Sequence, residues 1–186
     1  KVEGLRTPTG AWAALQSPAT SSRSAPDALV ASALALFSYA SEDLDPRIPP
    51  AVASAGLNHL VFVLKDRDLL KAMHYDLAVG RDFMVQEGIG TISLLYAETP
   101  QLFHSRNAFA IGGVYEDPAT GAAAAALGGL LRDRKWSHGG RIKILQGADM
   151  GQPCELIADI GETVGASIRV SGSAYRIQCP NLNLKT

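Results

Sequence analysis

A chain of 186 residues makes one domain or two small ones, and it can bury roughly 70% of the surface its unfolded form exposes without disulfide or metal staples. Hydrophobic residues at 47% and charged residues at 19% give a globular composition and exclude a disordered chain. Lys plus Arg number 17 against 18 Asp plus Glu, a net charge of -1 that leaves no basic footprint for nucleic acid and no polybasic anchor for a membrane.

The opening KVEGLRTPTG has no apolar core of the signal-peptide type and no initiating Met, so the natural start is expected upstream or processed. No apolar run approaches the roughly 20 residues that span a bilayer, and the cytoplasm is the expected compartment. Residues 1 to about 26 are poor in large apolar groups, with a short strand near Ala11 to Leu15 and a polar connector from Ser17 to Asp27. Ser24-Ala25-Pro26-Asp27 is an S-x-x-D start, and Leu29, Val30, Ala33, Leu34 and Phe37 follow at helical spacing. The spacing predicts a helix from Pro26 to Tyr39, stopped by the acidic, proline-rich SEDLDPRIPP. His59 to Leu64 is a continuous apolar run and reads as a buried strand, after which Asp66 caps a helix over Leu69 to His74. Leu77 to Val85 is a further helix ended by Gly88. Strands are predicted at Ile89–Tyr96, Phe103–Phe109, Ile142–Leu145, Glu155–Ile160, Ser167–Val170 and Ala174–Gln178, with Gly161-Glu162-Thr163 and Ser171-Gly172 as hairpin connections.

Residues Gly112 to Leu131, GGVYEDPATGAAAAALGGLL, stand apart. Pro118 suits a turn before a helix, Asp117 or Thr120 can cap it, and the alanines from Ala122 to Ala126 favour it intrinsically. No charge occurs from Ala119 until Arg132. A helix with no polar face belongs inside a protein, so a central helix wrapped by strands is expected. Its first amides lack intrahelical partners and carry the positive end of the dipole. With no side chain at Gly121 to block approach, the helix start can cradle a carboxylate or phosphate, with Asp117 beside it. The plainer alternative is that Asp117 only caps and Gly121 only permits close packing.

The segment GVYEDPATGAAAAALGGLL resembles the signature of the phenazine-biosynthesis isomerase family, in which G-x-x-E-D-P-A-T-G-S-A opens a central helix. Ser105 to Phe109, Gln146-Gly147 followed by Met150-Gly151-Gln152-Pro153, and Val170 to Ala174 are similar to the family's flanking motifs. The resemblance implies an α/β (α+β) fold of the diaminopimelate epimerase-like kind, a curled mixed sheet around a central apolar helix. It divides the chain into an N-terminal remnant or connector with one helix, residues 1–50, and a C-terminal domain, residues 51–186. It also implies an isomerase that moves a proton on a small carboxylated substrate, a dihydro-hydroxyanthranilate in phenazine formation, without metal or organic cofactor. Carried over residue by residue, Asp117 is the catalytic candidate, and Thr120, Gly121 and Ala122 are the substrate-binding ones.

The departures set the alternative. The family's N-x-S-E-T segment, which holds its catalytic glutamate, and its G-H-x-T motif do not occur in this sequence. Ala122 stands where serine is usual and Gln152 where arginine is usual. The chain therefore resembles the second half of such a protein. A general base is worth about 10²–10⁴-fold, so activity is expected to need a missing first half. The alternative is a non-catalytic interaction protein that keeps the fold. A cut surface would leave an apolar patch, so a homodimer or a partner chain is expected.

Other chemistry is less supported. Cys154 and Cys179 sit away from the helix start, which disfavours a thiol racemase, and they cannot alone close a four-cysteine zinc site. His59, His74, His104 and His138 have no metal-ligand spacing, and only His104, close before Arg106, is placed near a pocket. Gly88-Ile89-Gly90 lacks the rest of a dinucleotide fingerprint, and no G-x-S-x-G is present.

Overall fold

The computed structural model describes residues 2–8 and 10–175. Strands β1 (Val2–Thr7), β2 (Gly10–Gln16) and β3 (Ser21–Ser24) come first, then helix α1 (Asp27–Phe37). Next are β4 (Ala51–Ser54), β5 (Asn58–Leu64), α2 (Arg67–Lys71), α3 (Leu77–Glu87), β6 (Thr91–Thr99), β7 (Leu102–Ala108) and the short β8 (Glu116–Asp117). The chain continues through α4 (Gly121–Asp133), β9 (Arg141–Gln146), β10 (Cys154–Asp159) and β11 (Arg169–Ala174).

All the strands join one mixed sheet in the order β1-β2-β11-β10-β9-β7-β6-β5-β4-β3, with β8 paired to β7 beside β9. The pairs β5–β6 and β7–β9 are parallel and the others antiparallel. The sheet curls around α4, and its inner face packs Val61, Val63, Leu95, Phe103, Ile142 and Ile144 on Ala124 to Leu127, Leu130 and Leu131. On the outer face, Leu60, Phe62, Leu64, Ile92 and Leu94 pack with Leu29, Leu34 and Phe37 of α1, Leu70 of α2 and Met84 of α3. The run His59 to Leu64 is continuous because odd positions of β5 face inward and even ones outward, and both sides are covered. Buried on every side from Ala123 to Arg132, α4 is the central helix that its lack of a polar face predicts.

The sheet is closed by the chain between β2 and β3. Ser17 N–H donates to the Ile168 carbonyl at 2.9 Å and Thr20 N–H to the Gly165 carbonyl at 3.0 Å. From α4, Arg132 Nη2 donates to Thr20 Oγ1 at 2.6 Å and Nη1 to the Ala166 carbonyl at 3.2 Å. Helix and seam are in close contact here: a Cβ on Gly129 would lie 2.6 Å from Thr20 Cβ. Gly129→Ala gains up to about 1 kcal/mol of helix propensity, yet overpacking costs about 1–3 kcal/mol. Urea denaturation is therefore expected to show a net loss of stability, and a stabilised Gly129→Ala would contradict so tight a closure.

Several sequence expectations are corrected. Ser17–Asp27 is not only a connector, because Ser21–Ser24 form β3 against β4 across the polar loop. The edge position needs no apolar alternation, so small polar residues hid it. The expected cap at Ser24 is absent: Pro26 occupies the N-cap of α1 with no side-chain hydrogen bond. Ser171-Gly172 is no hairpin. One strand, β11, runs through it, and Gly172 is there because the Glu155 carbonyl would lie 3.1 Å from a Cβ. Residues 176–178 of the last predicted strand, and Cys179, lie outside the described residues. As predicted, Asp66 caps α2 by accepting from Asp68 N–H at 2.6 Å, and Gly88 ends α3 in the left-handed conformation. Residues 2–24 place β1 and β2 at one end of the sheet and β3 at the other, the last paired to β4. Among the described residues no helix is long and apolar enough to cross a membrane.

Candidate functional site

Pairing of β8 with β7 sets Asp117 opposite Asn107 and Glu116 opposite Ala108. Alternation along β7 sends Asn107 to the inner face and Arg106 to the outer. Arg106 there donates to Glu116, from Nη2 to Oε1 at 2.5 Å and from Nε to Oε2 at 3.0 Å. It also holds the carbonyls of Lys71 and Met73. The family-like Arg106 is thus a buried strut between β7, β8 and the end of α2.

At the inner side Thr120 takes the N-cap position of α4 without capping it. Asn107 Nδ2 donates to Thr120 Oγ1 at 2.7 Å and Gln146 Nε2 donates to the same oxygen at 3.0 Å. A hydroxyl has two acceptor sites and one hydrogen. Both acceptor sites are filled by amides, so the hydrogen goes out to Asp117 Oδ2. Nothing of Thr120 remains to cap the helix, and Asp117 is turned to Thr120 rather than to the helix amides. The expectation that either residue caps α4 is corrected on that ground.

The first intrahelical bond is from Ala124 N–H to the Thr120 carbonyl, at 3.0 Å. The amides of Gly121, Ala122 and Ala123 precede it and lack intrahelical partners. Beside them opens a cavity of about 640 Å³, lined by Ala119, Gly121 and Ala122 with Leu15, Ser17, Leu156, Val170 and Ser171 among its walls. Among the described residues no Asp, Glu, Lys, Arg or His lines it. A negative charge held there meets the helix start and the neutral polar side chains of Gln16, Ser17, Ser171 and Ser173. A Cβ on Gly121 would have Val170 Cγ1 at 3.9 Å as its nearest neighbour, so the space beside it is open. Of the four residues singled out from sequence, Gly121 and Ala122 line the cavity and Asp117 and Thr120 do not.

Gln146 and Gly147 explain their motif. Gln146 accepts from Thr120 N–H at 3.3 Å and donates to the Asp117 carbonyl at 2.5 Å, so it ties both ends of the Asp117–Thr120 turn. Gly147 has φ of +80°, and a Cβ there would lie 2.2 Å from the Gln152 carbonyl oxygen and 2.9 Å from that of Pro118. Gln152 itself is exposed. His104 bonds Glu98 Oε2 at 2.6 Å and does not line the cavity, and Cys154 Sγ lies 3.4 Å from the Gln152 carbonyl oxygen.

Behind Thr120 stand residues that, apart from Asn107, no motif in the sequence singles out. Asn107 is fully buried, and its Oδ1 accepts from Thr91 Oγ1 at 2.9 Å and Ser93 Oγ at 2.8 Å. Thr91 Oγ1 in turn lies 2.7 Å from Nδ1 of His59, which is 0% exposed. Burial pushes the His59 imidazole down to about 4, so the ring is neutral. The available clue was polar residues on the inward positions of otherwise apolar strands. Among the described residues no group of three or more His, Cys, Asp or Glu is arranged to hold a metal ion.

The family model for phenazine biosynthesis-like proteins matches residues 8–178. No functionally curated protein matches the sequence. Among solved structures the chain is similar to a predicted epimerase from Pseudomonas aeruginosa, with 22% identity and a TM-score of 0.76 over 96% of this chain and 63% of that one. A phenazine biosynthesis family protein of Bacillus anthracis gives 16% and 0.74, over 91% and 60%. A putative phenazine biosynthesis protein of Clostridium difficile gives 13% and 0.59, over 96% and 60%. The chain thus spans between 60% and 63% of the length of these structures, and at such identities the likeness is one of fold. The large mixed sheet with few helices is the epimerase-like architecture they share. Matched from residue 8 to residue 178, the chain belongs to the phenazine biosynthesis-like protein family.

Proposed function

We propose that this chain binds a small carboxylated substrate in the cavity at the start of α4 and takes part in a cofactor-free isomerisation. The observation that carries the reading is the uncapped helix start opening into a cavity with no charged side chain among the described residues of its lining. An anion there is met by the amides of Gly121 and Ala122 and by the positive end of the helix dipole. The apolar walls suit a compact carbon skeleton rather than a phosphate-rich ligand.

In such an isomerisation a proton leaves one carbon and returns at another, so the formula is unchanged and one acid–base group or a pair must carry it. Asp117, which stands outside the cavity lining two residues before Ala119, is the proposed carrier in this chain. Its Oδ2 is occupied by the Thr120 hydroxyl, while Oδ1 makes no hydrogen bond within the described residues. The second acid–base carboxylate is proposed to come from a first half, supplied by further residues of the protein, a partner chain or a second copy. The face it would cover is the one beside the cavity, where Leu15 is 53% exposed. A cytoplasmic setting, with neither nucleic acid nor membrane as partner, completes the proposal.

Titration with anthranilate tests the binding. The wild type is expected to bind, and Gly121→Val to bind at least about tenfold more weakly because its branches project into the cavity over the first amides of the helix. Equal affinities, or binding by neither, would remove the site. Deuterium uptake into a dihydro-hydroxyanthranilate tests the chemistry. Uptake is expected to be slow with this chain alone and fast once a first half is supplied. Binding without uptake in either case would favour the non-catalytic reading, which the alanine at Ala122 already suits.

A further inference from the structure

We propose that His59 and Asn107 are positioning residues that fix the direction of the hydrogen bond received by Asp117, an inference that rests on the site reading above. The chain of contacts starts deep in the inner face. His59 and Thr91 are opposite each other in the β5–β6 pair, and Ser93 is opposite Asn107 in the β6–β7 pair. Thr91 and Ser93 both donate to Asn107 Oδ1, which forces the Asn107 amide nitrogen towards Thr120. Gln146 cannot reverse either, because its Oε1 accepts the Thr120 backbone N–H. Thr120 then has one place left for its hydrogen, the Asp117 carboxylate.

The far end of the chain reports the same direction. With its own hydrogen committed to Asn107, Thr91 can only accept from His59, so the proton of the neutral ring sits on Nδ1. His59 Nε2 is buried with no hydrogen-bond partner among the described residues. A bare acceptor there costs less than an orphaned N–H, which favours the same tautomer. Reversing Asn107 would reverse everything: its amide would donate to Thr91 and Ser93, Thr91 would donate to His59 Nδ1, and the proton would move to Nε2. Thr120 would then give its hydrogen to Asn107 and leave Asp117 without it. The tautomer of a histidine inside the core thus reads the orientation of a hydroxyl at the site.

Nitrogen-15 NMR of the imidazole, recorded on the unliganded protein at neutral pH, is expected to show His59 protonated at Nδ1 and bare at Nε2. A proton on Nε2 would overturn the proposed direction. Anthranilate titration then tests the consequence. Asn107→Asp has no N–H to give and offers Thr120 a competing acceptor, so affinity is expected to fall at least about tenfold in protein shown to be folded. Should that variant not fold, Thr91→Val combined with Ser93→Ala, which removes both donors to Asn107 Oδ1, is titrated instead with the same expectation. Wild-type affinity in the folded variant would overturn the positioning role. No binding by wild type would instead remove the site reading, and the positioning role with it, while the imidazole spectrum still decides the direction of the chain.

Discussion

Glu116→Ala is expected to lower stability by about 3–5 kcal/mol, the usual cost of leaving one member of a buried ion pair without its partner. The side chains of Arg106 and Glu116 are only 9% and 5% exposed, and their two bonds are in the geometry that suits a guanidinium and a carboxylate. Burial disfavours the charge on Arg106, but the bonds from Glu116 outweigh it and hold the guanidinium still more firmly protonated. Removing the carboxylate leaves that charge among Leu94, Met73 and Ala108 with only the carbonyls of Lys71 and Met73. Glu116→Gln keeps an acceptor for one N–H and is expected to lose less. Replacing both partners together, as Arg106→Met with Glu116→Leu, is expected to recover most of the loss, because no charge is left unpaired. Urea unfolding of the four proteins checks this, and a loss below about 1 kcal/mol for Glu116→Ala would mean that water reaches the pair.

The second large effect is a pH dependence set by His59. In the unfolded chain its imidazole takes a proton below about 6.5, while in the fold burial delays this to about 4. Between those values the unfolded state binds more protons, so stability is complete near neutral pH and falls as pH drops through the window. Below about 4 both states are protonated and this contribution is gone. The full loss corresponds to about 3 kcal/mol. Asp45, which the Arg47 guanidinium holds below the ordinary carboxylate range, loses stability in the same direction. It does so in any His59 variant too, and therefore cancels in a comparison. The difference between wild type and His59→Gln, measured by urea unfolding at pH 7 and pH 4, is expected to shift by about 3 kcal/mol against the wild type. Parallel curves would mean that the ring is hydrated.

How much of this was legible beforehand varied with the physical source. α4 was readable because its composition leaves a single option: alanines and leucines without a charge from Ala119 to Arg132 must be surrounded. β5 and β6 were readable for the same reason, being apolar on two covered faces. β1, β3 and β4 were not. Their residues are few, small or polar, and they are strands because neighbouring strands offer them hydrogen bonds, which local propensity does not encode. Gly172 looked like a turn because a glycine that admits a neighbouring backbone and one that reverses the chain are the same letter.

At the site, the helix, the glycine at its start and the Asp117–Thr120 turn follow from local chemistry within a few residues and are readable from the amino acids alone. The sequence could not say that Thr120 would fail to cap. That depends on Asn107 and Gln146, which lie 13 and 26 residues away along the chain and compete for its two lone pairs. Nor could it give His59 a part, since the ring meets Thr91 only through the register of β5 on β6. Tertiary structure decided these points because a hydroxyl has one hydrogen to give, and where it goes depends on every donor and acceptor brought within reach.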